Sequence, residues 1–305
     1  MDEVQRFRGD VMRIGLFALL ALPVAPAVAQ QPATDVQIRV ETVAPGVAVL
    51  FGDGGNIGLS HGEDGNVLVD DQYAPMTEKI AAAVATLDPD PVKFVINTHW
   101  HADHTGGNEN LGRRGAVIVA HDNVRKRMST DQFMATFNRT FPASPKAALP
   151  VVTFAAGVTL HINGDTLEIV HVGRAHTDGD ALVMWKSANV IHMGDTYFKD
   201  FSFPFIDTGS GGTLPGLMAA LDHAIAITNE RTIVIPGHGL VATRAELVGY
   251  RDMIVDIRDK VAAGIAAGKP LAVIQAEKPT ARYGMEQGFV KPDAFVALVY
   301  ESLRN

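Results

Sequence analysis

His99-Trp100-His101-Ala102-Asp103-His104 follows directly on the apolar run Val92-Lys93-Phe94-Val95-Ile96-Asn97-Thr98, and this junction decides the fold. Four side chains able to hold a metal fall within six residues, a mixture of imidazole and carboxylate that suits divalent cations such as zinc. In an extended segment leaving a strand, His99 and His101 point to one side. They can share an ion while the chain turns to present Asp103 and His104 elsewhere. Gly106-Gly107 come next and permit a tight turn with close backbone approach.

Working outward, further ligand types punctuate the ends of later strands. His176 lies in Gly173-Arg174-Ala175-His176-Thr177-Asp178-Gly179-Asp180, Asp195 in Met193-Gly194-Asp195-Thr196, and His238 in Ile235-Pro236-Gly237-His238-Gly239. Each alone reads as a loop residue, a helix cap or a turn. Their occurrence in order behind the first cluster makes them candidates for one site.

The surrounding pattern is of strands, then a helix, twice over. Strand signals run over Val36–Val43, Val47–Phe51, Asn56–His61 and Asn66–Asp70, separated by turn formers, and predict an antiparallel meander. Helical spacing follows in Pro75–Leu87, then the strand Val92–Asn97, a short helix after Thr105, the strand Ala116–Ala120 and a helix from about Asp122. A proline-containing stretch, Phe137–Pro150, interrupts the pattern. Strands resume at Val158–Ile162, Thr166–Val172, Ala181–Trp185 and Val190–Met193, before a helix Leu214–Thr228, a strand Thr232–Ile235 and a helical tail from Thr243. The apolar stripes in Leu214–Ile227 and Met253–Ile265 face a core. The order implies an α/β fold of two sheets packed face to face with helices outside.

With these residues in place, the sequence resembles the metallo-β-lactamase fold superfamily. The resemblance is carried by H-x-H-x-D-H at His99–His104, Gly-x-Ala-His-Thr at His176, Gly-Asp at Asp195, Pro-Gly-His at His238, and Val67-Leu68-Val69-Asp70 as an early strand ending in aspartate. It implies an αββα sandwich of two mixed β-sheets and a two-metal site. By this resemblance His99, His101 and His176 hold one ion, Asp103, His104 and His238 the other, Asp195 bridges them, and Asp70 orients a ligand imidazole. The ions implied are zinc, with manganese or iron as alternatives. The implied chemistry is hydrolysis by a metal-bound hydroxide, with Asp103 as the catalytic group that passes a proton to the leaving atom.

The run from His176 to Val183 is similar to the β-lactamase branch and implies a β-lactam substrate. Asp195 and His104, however, stand where that branch usually has cysteine and a residue other than histidine. They are similar to glyoxalase II, lactonases and phosphodiesterases, so an exported lactonase, esterase or phosphodiesterase is the alternative, and a non-catalytic metal-binding protein the third reading. Lys199 is a candidate to meet a substrate carboxylate. Phe51–Gly55, Phe133–Pro150 and Phe201–Gly212 are candidate walls or flaps over the site. His61, His121, His161, His171, His192 and His223 carry no assigned role.

At the N-terminus, Arg6, Arg8 and Arg13 precede the apolar run Ile14–Leu22, and Ala27-Val28-Ala29 before Gln30 forms a small-x-small cleavage pattern. Residues 1–29 are expected to be a signal peptide and 30–305 a single domain, periplasmic or secreted. The chain has no cysteine, which excludes disulfides and thiolate ligands. Its net charge of −8 disfavours nucleic-acid binding, which depends on basic phosphate contacts. The expected partner is a small-molecule substrate, with no membrane association after signal removal, in a monomer or small homo-oligomer.

Overall fold

The computed structural model describes residues 35–304, so the expected signal peptide, residues 1–29, lies outside the described residues. The chain opens with four antiparallel strands, β1 (Arg39–Ala44), β2 (Val47–Phe51), β3 (Ile57–Ser60) and β4 (Asn66–Val69). The sheet then continues in parallel through β5 (Val92–Ile96) and β6 (Val117–His121). A small hairpin of β7 (Gln132–Met134) and β8 (Arg139–Phe141) intervenes before β9 (Val152–Phe154) completes a seven-stranded sheet in the order β1-β2-β3-β4-β5-β6-β9.

A second sheet of six strands follows: β10 (Gly157–Ile162), β11 (Asp165–His171), β12 (Ala181–Trp185), β13 (Val190–His192), β14 (Ile233–Ile235) and β15 (Ala242–Thr243). All of its neighbours pair antiparallel except β13 with β14. Both sheets are therefore mixed.

Helices α1 (Thr77–Ala85), α2 (Ala102–Thr105), α3 (Asn108–Arg113) and α4 (Asp122–Met128) belong to the first half. The second half carries α5 (Leu214–Ile227), α6 (Arg244–Ala266), α7 (Leu271–Ala276) and α8 (Pro292–Ser302).

Strand β2 shows why the layers stack. Val47 and Val49 pack with Leu167, Ile169, Val183 and Trp185 of the second sheet, whereas Ala48 and Leu50 pack with Ile80, Val84 and Leu111 of α1 and α3. Alternation sends successive side chains to opposite faces, and both faces are covered, so all four are buried. Each large apolar side chain so buried contributes about 1.5–3 kcal/mol. On the far side, Leu247, Ile254, Ile257 and Val261 recur along α6 at helical spacing and pack with Ile191, Met193 and Val234. Helix, sheet, sheet, helix is thus written in three separate apolar layers.

Three details depart from the expected elements. The short helix expected after Thr105 is α3, but a further one, α2, precedes it from Ala102, because His101 (ψ 148°) is still extended and Asp103 falls in the first turn, where a carboxylate favours the helix N-terminus. The stretch Phe137–Pro150, expected to interrupt the pattern, contains β8, the second strand of the hairpin β7–β8, whose turn is a 3-10 segment ending at Asn138 with φ +46°. β9, beyond it, is three residues long and joins the sheet by pairing with β6.

Candidate metal centre

Segments that follow the carboxyl ends of strands deliver every ligand. His99 and His101 follow β5, with Asp103 and His104 on α2. His176 follows β11, Asp195 sits in the 3-10 turn Gly194–Thr196 after β13, and His238 follows β14. They converge as two donor groups, His99, His101, His176 and Asp195 in one and Asp103, His104, Asp195 and His238 in the other. Within each group one ligand atom per residue lies within 4.8 Å of the rest. The six-residue motif is thus split between groups as the strand geometry suggested. Asp195 belongs to both.

Each imidazole in the first group is locked by a partner on its outer nitrogen. His176 Nδ1 lies 2.6 Å from the Phe205 carbonyl, which can only accept, so Nδ1 carries the proton and Nε2 is left with a lone pair. His101 Nε2 donates to Asp207 Oδ2 at 3.1 Å, which leaves Nδ1 facing His176 Nε2 at 2.9 Å. Thr98 Oγ1 spends its proton on Asp70 Oδ2 (2.7 Å) and so accepts from His99 Nδ1 (3.0 Å). His99 Nε2 is then a buried lone pair with no hydrogen-bond partner. Three unprotonated nitrogens point at a common space, an arrangement that repels unless a cation occupies it. Burial, followed by neighbouring imidazoles, holds His99 and His176 below the usual histidine range, in the neutral form a metal requires.

The second group is richer in negative charge. His104 Nδ1 donates to Asp70 Oδ2 at 2.7 Å, and its Nε2 lies 3.0 Å from Asp195 Oδ1 and 3.5 Å from Asp103 Oδ2. His238 Nε2 lies 3.3 Å from Asp103 Oδ2. Burial opposes charge on both rings, yet the carboxylates overcome it: Asp195, Asp103 and Asp70 raise His104, and Asp195 and Asp103 raise His238 to about 9. Burial likewise works against the Asp103 carboxylate, and His104 and His238 bring it down to about 2. A pocket that calls for positive charge this strongly fits a divalent cation. Asp195 offers Oδ2 to His99 and His176 (3.8 and 3.6 Å) and Oδ1 to His104 and His238 (3.0 and 3.6 Å), one oxygen toward each group.

Asp70, at the end of β4, is fully buried and accepts from Thr98 N, Thr98 Oγ1 and His104 Nδ1, each at 2.7 Å. Its φ of +66° is uncommon for a residue with a Cβ and is held by these bonds. The β2–β3 loop, a candidate flap by sequence, is packed down on the motif: Gly55 N donates to Asp103 O at 3.0 Å, and a Cβ on Gly55 would fall 2.1 Å from the His104 ring. Only glycine fits there. Lys199 is not brought to the histidines by its ammonium. That group pairs with Asp200 at 2.5 Å and with Glu246 at 2.9 Å, at the start of α6.

Three supporting groups escaped the sequence reading. Thr98 reads in the sequence only as the end of the apolar run before the motif; the Phe205 carbonyl, being backbone, leaves no side-chain signal. Asp207 sits in Asp207-Thr208-Gly209-Ser210, where its acceptance of the Ser210 N–H makes an ordinary turn pattern that hides its bond to His101. Of the unassigned histidines, His192 is structural to the site: it contacts the Asn56 carbonyl at 3.1 Å and the Gly194 N–H at 3.1 Å.

Comparison with known proteins agrees with this geometry. The sequence profile of the Metallo-beta-lactamase superfamily matches residues 50–238. The chain is 26% identical to "Metallo-beta-lactamase type 2" of Bacillus cereus over 191 residues, 62% of this chain and 69% of that protein. It is 26% identical to "Hydroxyacylglutathione hydrolase" of Erythrobacter litoralis over 108 residues, 35% of each. The match to that second relative therefore spans about a third of its length. Among solved structures, the metallo-beta-lactamase from Pontibacter korlensis superposes with a TM-score of 0.60 at 22% identity, covering 72% of this chain and 100% of that one, a likeness of fold. Profile, sandwich and paired donor groups agree: the chain belongs to the metallo-beta-lactamase superfamily, whose members are metal-dependent hydrolases.

Proposed function

We propose that this protein is a two-zinc hydrolase that cleaves the bond between an acyl carbon and its leaving atom, with the β-lactam amide as its leading substrate class. The observation that carries this reading is Asp195, whose two oxygens face the two donor groups. Zinc held there would polarise a substrate oxygen and lower the pKa of water. His99, His101 and His176 would hold the first ion and Asp103, His104 and His238 the second. Asp103 is the more solvent-accessible of the two site carboxylates, its side chain 24% exposed against 5% for Asp195. Asp103 Oδ2 is turned to His104 and His238, which leaves Oδ1 to take a proton from water and pass it to the leaving atom. The name of the Bacillus cereus relative supports the lactam reading.

A second reading is a lactone, ester or phosphodiester substrate. It is favoured by Lys199, whose ammonium is already paired with Glu246 and Asp200 and does not stand free for a substrate carboxylate. We place either activity in one domain, residues 30–305, exported to the periplasm or beyond by residues 1–29.

Zinc-reconstituted protein assayed on a chromogenic cephalosporin, a homoserine lactone and a phosphodiester, beside Asp195→Ala, tests the proposal. Cephalosporin turnover lost in the variant supports lactam hydrolysis. Lactone or phosphodiester turnover alone favours the second reading, and no turnover of any of them removes both.

A further inference from the structure

Some of the aromatic side chains that reach solvent lie against this site. Among the described residues the exposed ones are Tyr73, Phe133, Phe137, Phe201 and Phe289. Phe201 stacks on His238, with ring centroids 5.0 Å apart and planes at 18°. On the other side, Phe205 lies over His101 at 6.0 Å and against His176 at 5.4 Å. Phe137 and Phe289 both pack on Phe205, at 6.4 and 5.4 Å, and on each other at 5.9 Å.

The three rings of this second face come from separate segments. Phe205 follows the Asp195 turn, and Phe137 sits at the tip of the β7–β8 hairpin. Phe289 precedes α8, well beyond residue 238 where the superfamily match ends. Its segment is fixed in place: Val290 N donates to Ser202 Oγ at 2.7 Å, and the Gly288 backbone passes so close that a Cβ there would lie 2.9 Å from Ser202 Cα. Phe137 and Phe289 nevertheless remain 47% exposed each. Core packing does not account for two large apolar rings held half in water in line with a ring that covers two metal-binding histidines. A bound apolar group does.

We propose that Phe289, together with Phe137 and Phe205, forms a specificity wall that holds an aryl or alkyl substituent of the substrate beside the first donor group. The wall offers ring faces and edges only. The C-terminal segment thus adds to the shared scaffold a preference for apolar acyl groups. This inference rests on the carbonyl-hydrolase reading.

The zinc-reconstituted full chain is assayed on p-nitrophenyl phenylacetate and p-nitrophenyl acetate, and titrated calorimetrically with phenylacetate and acetate. Wild type is expected to prefer the phenylacetyl ester in kcat/KM and to bind phenylacetate more tightly. Phe289→Ala is expected to lower both preferences roughly tenfold, through KM in the kinetic case, the size expected for half-covering a phenyl group. Phe289→Leu keeps most of the preference, and Phe133→Ala, which removes an exposed ring outside the wall, leaves it unchanged. Equal preferences in wild type and Phe289→Ala, or an equal loss in Phe133→Ala, overturn the proposal. Absence of ester and lactam turnover with the phenylacetate preference intact and lost in Phe289→Ala sinks the hydrolase reading and leaves the wall standing.

Discussion

The Asp207 carboxylate accepts a hydrogen bond from His101 Nε2 at 3.1 Å and thereby fixes which nitrogen of that ring faces the first donor group. Ser210 holds the carboxylate in turn, through its hydroxyl at 2.5 Å and its N–H at 3.1 Å. Asp207→Ala frees the ring to rotate and removes the acceptor that makes it a better ligand. A competitive zinc titration is expected to show about 10- to 100-fold weaker binding of one of two ions, as for other outer partners of metal-bound histidine. Unchanged affinity for both would show that the bond is incidental.

Asp103→Asn keeps the size of the side chain and one ligand oxygen but cannot hold a proton. With zinc content measured as unchanged, turnover of whichever substrate proves active is expected to fall about 10²- to 10⁴-fold. Full turnover with full zinc would remove Asp103 from the proton path.

Two glycine-to-alanine changes should go in opposite directions. Gly55→Ala drives a methyl to 2.1 Å from the His104 ring, so the ring or the loop must move. Denaturant unfolding is expected to show a loss of about 1–3 kcal/mol, with weakened zinc binding. Gly249→Ala, in α6, meets nothing within 4 Å, and helix propensity alone predicts a gain of about 0.5–1 kcal/mol.

Glu246 caps α6 and pairs with Lys199, and that ammonium, with the Thr243 N–H, holds its carboxyl down at about 2. Because the folded value lies below the unfolded one of about 4.3, the stabilisation is complete above that pH. It drains away as pH falls through the interval toward about 2. The pair is partly exposed, so screening limits its effect to about 1 kcal/mol or less. Urea midpoints of the metal-free protein at pH 6 and pH 3 should differ less in Glu246→Gln than in wild type. An equal difference in both would show that Glu246 does not contribute to the acid slope.

Much of this architecture was legible because it is local. Val47–Phe51 and Ala181–Trp185 have the expected bounds, and the ligands stand at strand ends with turn formers beside them. What stayed hidden depends on partners distant in sequence. Nothing near Lys199 announces that Glu246, 47 positions on by their numbering, will take its ammonium. Nothing near Phe289 announces that its segment will be anchored on Ser202. The hairpin β7–β8 has strands of three residues, too short for alternation to be read.

Asp70 touches one imidazole of each donor group, His104 directly and His99 through Thr98. Both halves of the centre therefore hang from one backbone position, whose left-handed φ restricts where its carboxylate can be. A displacement at the end of β4 turns the two rings together. Asparagine at this position would set an amide N–H₂ against donors that now meet only oxygen, and the misalignment would reach both donor groups at once, because the pair of rings is suspended from one carboxylate.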